Sequence, residues 1–82
     1  MSEPRDVEIR GESIRLGQFL KLADAVDNGA EVRPLLMRGS VLVNAETETR
    51  RGRQLGIGDV VSLGGDSFRV VRTQDRPGDA TF

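Results

Sequence analysis

Eighty-two residues, 37% of them hydrophobic, make one small domain, and a chain of that size buries roughly 60–65% of its unfolded surface, enough for one thin core. It has no cysteine and no histidine, which removes disulfide staples, thiolate or imidazole metal sites and any imidazole base. Twelve basic residues against thirteen acidic ones leave a formal net charge of −1, so the chain as a whole is no general polyanion binder and any anion site has to be a local patch.

The opening residues, MSEPRDVEIR, lack an apolar leader. No run approaches the ~18 apolar residues of a membrane span, so the expectation is a cytoplasmic protein without a membrane partner. Residues 1–5 are expected to be flexible. Over DVEIR (6–10) Val7 and Ile9 alternate with charged neighbours, which predicts a half-buried strand ended by Gly11. Leu16, Phe19, Leu20, Ala23 and Val26 then fall at helical spacing and predict a first helix reaching Val26, capped by Ser13 or the turn after it. Gly17 weakens its first turn.

Asp27-Asn28-Gly29 breaks that helix. Asn28 and Glu31 stand at capping-box spacing ahead of Val32, Leu35 and Leu36, which predicts a second helix. Gly39, just past Arg38, suits a left-handed C-cap. Pro34 removes a backbone donor and can cost ~3 kcal/mol inside a helix, so this helix should be short or kinked. Val41, Val43, Ala45, Thr47 and Thr49 share one face of the next, alternating run. They predict a hairpin with strands near 41–43 and 47–50, joined around Asn44-Ala45-Glu46. Gly56-Ile57-Gly58 reads as a turn, 59–63 as a strand, Gly64-Gly65-Asp66 as a tight turn and 68–72 as the last strand. The polar residues 73–82 are expected to be disordered. The fold class is α+β: two short helices packed on a small, mostly antiparallel sheet, with the domain at 6–72.

Little here supports catalysis. The serines have no histidine to activate them. Gly56-Ile57-Gly58 fails as a dinucleotide loop because Val61 occupies the third glycine position. Neither a metal nor a cofactor is implied. Of the three aromatic residues, Phe19 and Phe68 sit in core-like patterns, leaving little to stack on splayed bases. A phosphate-reading surface on folded RNA fits this inventory better.

The positive charge is unevenly placed. Residues 1–32 hold four basic and seven acidic groups (−3), and residues 54–82 hold three and four (−1). Residues 33–53 hold Arg33, Arg38, Arg50, Arg51 and Arg53 against Glu46 and Glu48 (+3). Lys21 is the only lysine among the basic residues. Arginine offers a planar fork suited to phosphate, although base composition of the genome accounts for the same bias. Arg15 opens the first helix and Lys21 lies off its apolar stripe. Arg33 sits roughly 100° around the second helix from Val32, and Arg38 complements that helix's dipole. Arg50 and Arg51, adjacent in a strand, would face opposite ways unless the strand ends or bulges by Gly52. Alternatively Arg50 pairs with Glu46 or Glu48, a small contact on a surface.

The order of these features, Arg15-Leu16, Phe19-Leu20-Lys21, Asn28-Gly29, Gly39-x-Val41-x-Val43-Asn44 and Gly58-Asp59-x-Val61, resembles the S-four RNA-binding domain. That is the αL module of ribosomal small-subunit protein S-four, many pseudouridine synthases and bacterial tyrosyl-tRNA synthetases. VEIRGESIRLGQFLKLA and the Thr-Arg-Arg-Gly-Arg run are similar to its small stand-alone YbcJ-like branch. The match covers residues 7–72. The resemblance implies a non-catalytic RNA-binding protein whose two helices and following hairpin contact structured RNA, ribosomal RNA or tRNA, in association with the ribosome and as a monomer. The positions it marks are Arg15, Lys21, Asn28, Gly29, Arg33, Asn44, Arg50, Arg51 and Arg53. Three positions depart from the family pattern: Ala45 replaces the usual glycine, Gly17 an acidic residue, and Pro34 interrupts the second helix. The competing expectation is a protein-interaction module using the acidic and basic halves. A β-grasp sulfur carrier is disfavoured, because Ala80-Thr81-Phe82 lacks a terminal Gly-Gly.

Overall fold

The computed structural model describes residues 3–73, so the tail beyond Thr73 lies outside the described residues. β1 (Arg5–Ile9) begins one residue before the alternating run and takes in Arg5. β2 (Ser13–Arg15) runs directly into α1 (Leu16–Leu22). A 3-10 turn (Gly29–Glu31) leads into α2 (Val32–Met37). Strands follow: β3 (Val41–Val43), β4 (Glu46–Thr47), β5 (Gln54–Gly56), β6 (Val60–Leu63) and β7 (Asp66–Arg72).

The larger sheet has the order β1-β7-β6-β3-β4, and β2 pairs with β5 in a separate two-stranded ribbon. β1 lies parallel to β7, which it can reach only because the rest of the domain intervenes as a long crossover. The other pairs are antiparallel, so the sheet is mixed but mostly antiparallel. Two tight turns set its register. Gly64, at φ 66, and Gly65 join Leu63 to its partner Asp66. Asn44 (φ 52) and Ala45 (φ 73) join Val43 to Glu46 in the doubly left-handed geometry of a type I′ turn. Asparagine tolerates that region; alanine there costs about 1 kcal/mol.

Both helices end in one way. The apolar stripe of α1 is buried at Leu16, Phe19 and Leu20, but the helix stops at Leu22, short of the predicted Val26. Asp24 takes φ 62, its N–H donating to the Lys21 carbonyl (3.1 Å), while the Ala25 N–H donates to that of Leu20 (2.9 Å). This is a Schellman closure with aspartate in the place that glycine usually holds. Val26 still reaches the core, from the loop instead of the helix. α2 ends identically: Gly39 (φ 75) donates to Leu36 and Ser40 to Leu35, both at 3.1 Å. Asn28 caps the 3-10 turn, its Oδ1 accepting from the Ala30 N–H at 2.9 Å. Glu31 reaches one residue past the expected capping-box partner and accepts from the Asp27 N–H at 3.1 Å. Pro34 falls in the first turn of α2, where helical N–H groups have no acceptor inside the helix. The helix it sits in is short, as expected.

The core is one cluster joining Ile9, α1, Val26, α2 and the inner faces of the strands, including Leu55, Phe68 and Val70. Full burial of a side chain the size of Leu or Phe contributes about 1.5–3 kcal/mol, so Phe19 and Leu55 tie the helix layer firmly to the β2-β5 ribbon. One predicted face is corrected here. Val41 and Val43 are buried, but Ala45, Thr47 and Thr49 are exposed and the strand ends at Thr47, not Arg50. The residue buried beyond that point is Glu48, 7% exposed. Among the described residues, no helix is long and apolar enough to cross a membrane.

Candidate nucleic-acid interface

A buried glutamate inside a basic segment needs donors, and residues 49–53 supply them. Glu48 Oε2 accepts from the backbone N–H groups of Thr49 (3.0 Å) and Arg50 (2.9 Å) and from Arg50 Nε (3.1 Å). Glu48 Oε1 accepts from Arg53 Nη1 at 3.1 Å. The chain turns within this shell, the Arg53 N–H donating to the Arg50 carbonyl at 3.3 Å. The carboxyl is held down to about 2, first by the Arg50 side chain and then by the Arg50 backbone N–H; burial pushes the other way, and Arg53 adds to the lowering. The Arg50 guanidinium is raised in return, chiefly by its hydrogen bond to Glu48.

The loop so formed docks on the start of α1. The Arg53 carbonyl accepts from the Leu16 N–H (2.8 Å) and the Arg51 carbonyl from the Gly17 N–H (3.1 Å). Those two donors belong to the first helical turn, which has no intrahelical acceptors. The loop therefore does the capping expected of Ser13, which lies in β2. Gly17 permits the approach: a Cβ there would lie 3.1 Å from Arg51 Cγ.

Between loop and helix lies an open cleft of about 260 Å³. It is lined by Arg15, Gly17, Gln18, Lys21, Gly29, Val32, Arg51 and Gly52. Gln18 and Lys21, three residues apart, share a face of α1, and Arg15 reaches the cleft from the extended N-cap position at the end of β2. All three cations of the cleft are exposed, and none has an ion pair among the described residues. Five of the other basic residues are engaged elsewhere. Arg50 and Arg53 bind Glu48, Arg69 pairs with Asp6 (3.4 Å), Arg72 with Glu12 (3.2 Å), and Arg5 lies over the Phe68 ring at 5.2 Å.

The residues marked from sequence divide accordingly. Arg15, Lys21, Gly29 and Arg51 come together in the cleft. Asn28 adjoins it, its side-chain oxygen engaged as a cap, and Arg33 is exposed beside Val32 without lining the cleft. Asn44 is a clamp across the sheet: its Nδ2 donates to Asp59 Oδ1 (3.2 Å) and its Oδ1 accepts from the Val60 N–H (3.0 Å). Arg50 and Arg51 do part, but because the strand has ended and the chain turns, with Arg50 and Arg53 drawn onto Glu48. Gln18 escaped sequence reasoning but was findable, three positions from both Arg15 and Lys21. The pairing of Arg50 with Glu48, one of the alternatives read from the sequence, forms at 3.1 Å, whereas the burial of Glu48 carried no signal, since alternation placed it on the solvent face.

Two helices over a mixed sheet, with a basic loop seated on the first helix's N-terminus, are the frame of an S4 domain. The S4 domain pattern matches residues 7–71, and the chain belongs to that family. It is 50% identical over 66 residues to "Probable ribosome maturation protein RlbA" of Bacillus subtilis (strain 168), a match covering 79% of this chain and 93% of that protein. The solution structure of YbcJ from E. coli, with an αL motif involved in RNA-binding, aligns at a TM-score of 0.65 and 29% identity over 87% of this chain and 91% of YbcJ. The 30S ribosomal protein S4e from Thermoplasma acidophilum aligns at 0.56 and 26% identity over 73% of this chain, but only 32% of S4e. The resemblance to the S-four domain and its YbcJ-like branch thus holds in sequence and in fold.

Proposed function

We propose that this protein is a non-catalytic, cytoplasmic RNA-binding module that grips the phosphates of a structured RNA, ribosomal RNA or tRNA, as a monomer associated with the ribosome. The observation that carries the reading is the convergence of Arg15, Lys21 and Arg51 on one cleft while neighbouring arginines are neutralised within the protein. The αL motif of YbcJ and the maturation role in the name of the Bacillus relative support it. Among the described residues, no aromatic side chain lines the cleft, so its chemistry suits the sugar-phosphate backbone better than stacked bases. Gly29 lines the cleft, Asn28 and Arg33 extend the same surface beside it, Arg50 and Arg53 serve mainly to shape it through Glu48, and Asn44 supports the sheet beneath.

Three phosphate contacts give a salt slope near −2.7, or about a 40-fold loss of affinity between 50 and 200 mM salt. Fluorescence anisotropy with a labelled RNA hairpin and an unstructured strand, at both salt concentrations, tests this. The expected result is a preference for the hairpin and that steep loss. Equal affinity for the two RNAs, salt-insensitive binding or no binding would overturn it.

A further inference from the structure

We infer that Glu48, an acidic residue among the arginines, is the positioning residue of the RNA site, fixing the loop that presents Arg51 to the cleft. The inference rests on the RNA-binding reading above. Its basis is a chain of contacts: four donors from Thr49, Arg50 and Arg53 converge on one buried carboxylate. The loop they shape places two carbonyls on the Leu16 and Gly17 N–H groups. That docking sets Arg51 Cγ 3.1 Å from where a Gly17 Cβ would stand, in the cleft that Arg15 and Lys21 also line.

Two effects of removing the carboxylate oppose each other, which makes the inference testable. Coulomb's law alone predicts tighter RNA binding for Glu48→Gln, because the net charge rises from −1 to 0 and Arg50 and Arg53 are freed. Positioning predicts the reverse for folded RNA: the freed arginines are flexible, whereas Arg51 loses the loop that aims it. Glu48 then acts through Arg51, and the two residues must be coupled.

The test is a double-mutant cycle of Glu48→Gln and Arg51→Ala, read by anisotropy on the hairpin and the unstructured strand at 50 and 200 mM salt. Glu48→Gln should bind the hairpin about tenfold more weakly, bind the strand as well as or better than wild type, and lose roughly one unit of salt slope. In the Arg51→Ala background the same substitution should change hairpin affinity by less than about twofold. Amide hydrogen exchange without RNA should speed up at Leu16 and Gly17. Should Glu48→Gln melt below the binding temperature, Glu48→Asp replaces it; keeping the charge but shortening the reach to Arg53, it should lose about threefold. Hairpin binding by Glu48→Gln at or above the wild-type level, or full additivity with Arg51→Ala, overturns the positioning role. Absence of wild-type binding overturns the RNA reading itself, and the positioning role with it.

Discussion

At Ala45 the backbone holds φ 73, a region in which an L-residue is strained and glycine is not. Ala45→Gly should therefore stabilise the fold by about 1 kcal/mol, raising Tm by roughly 4–8 °C in a thermal melt of a domain this size. Hairpin affinity should not move, because Ala45 does not line the cleft. Glu48 predicts a pH effect. Its carboxyl titrates near 2 when folded, against an ordinary value of 4.5, so its contribution is fully present above 4.5 and is lost as pH falls toward 2. The informative quantity is the Tm difference between wild type and Glu48→Gln, in which every contribution the two proteins share cancels. It should be constant from pH 7 to 5 and shrink steadily from 4.5 to 2.5; a difference flat to pH 2.5 would contradict the paired, charged carboxylate. Neither residue was legible in the same degree. The Asn44-Ala45 turn follows from the alternation on either side of it, whereas Glu48 sits between two threonines in a run whose period points it to water. Only the loop that wraps it, closed by contacts back to Val41 and Arg53, turns it inward.

The elements show where local patterns suffice and where they fail. The stripe Leu16, Phe19, Leu20 identified α1, and Gly39 identified the end of α2, since both signals lie within one turn of the chain. The end of α1 was missed because Asp24, not glycine, holds the left-handed position, and because Val26 continues the helical spacing while packing from a loop. β2 and β5 were missed because three residues carry too little periodicity to register, and their pairing joins Ile14 to Leu55 across most of the cleft-forming segment. The two Schellman closures make opposite predictions. Asp24→Gly relieves strain and should stabilise by roughly 0.5–1 kcal/mol, whereas Gly39→Ala introduces it and should destabilise by about 1 kcal/mol. An added Cβ at residue 39 would meet Thr47 Cγ2 at an ordinary 3.7 Å, so strain and not collision sets that cost. Urea unfolding of the two variants beside wild type checks both signs.

For the molecule as a whole, net charge and local charge pull in different directions. At −1 overall, the protein repels RNA weakly at long range, so binding has to come from where cations are concentrated and free. The sequence shows an excess of +3 over residues 33–53, but folding redistributes it: Glu48 withdraws Arg50 and Arg53, while β2 contributes Arg15 and α1 contributes Lys21 from the acidic N-terminal segment. That exchange brings Arg51 to cations thirty or more residues away, which no local pattern encodes. A charge-matched comparison separates the two effects. Lys21→Gln with Arg51→Gln, and Arg69→Gln with Arg72→Gln, each change the formal net charge from −1 to −3. The second pair removes only the exposed bridges to Asp6 and Glu12, worth about 0–1 kcal/mol each, so both doubles should fold. The cleft double should lose roughly two units of salt slope and most hairpin affinity; the β7 double should keep its slope and bind within about threefold of wild type. Equal losses in the two doubles would mean that net charge, and not the cleft between α1 and the 48–53 loop, governs the encounter with RNA.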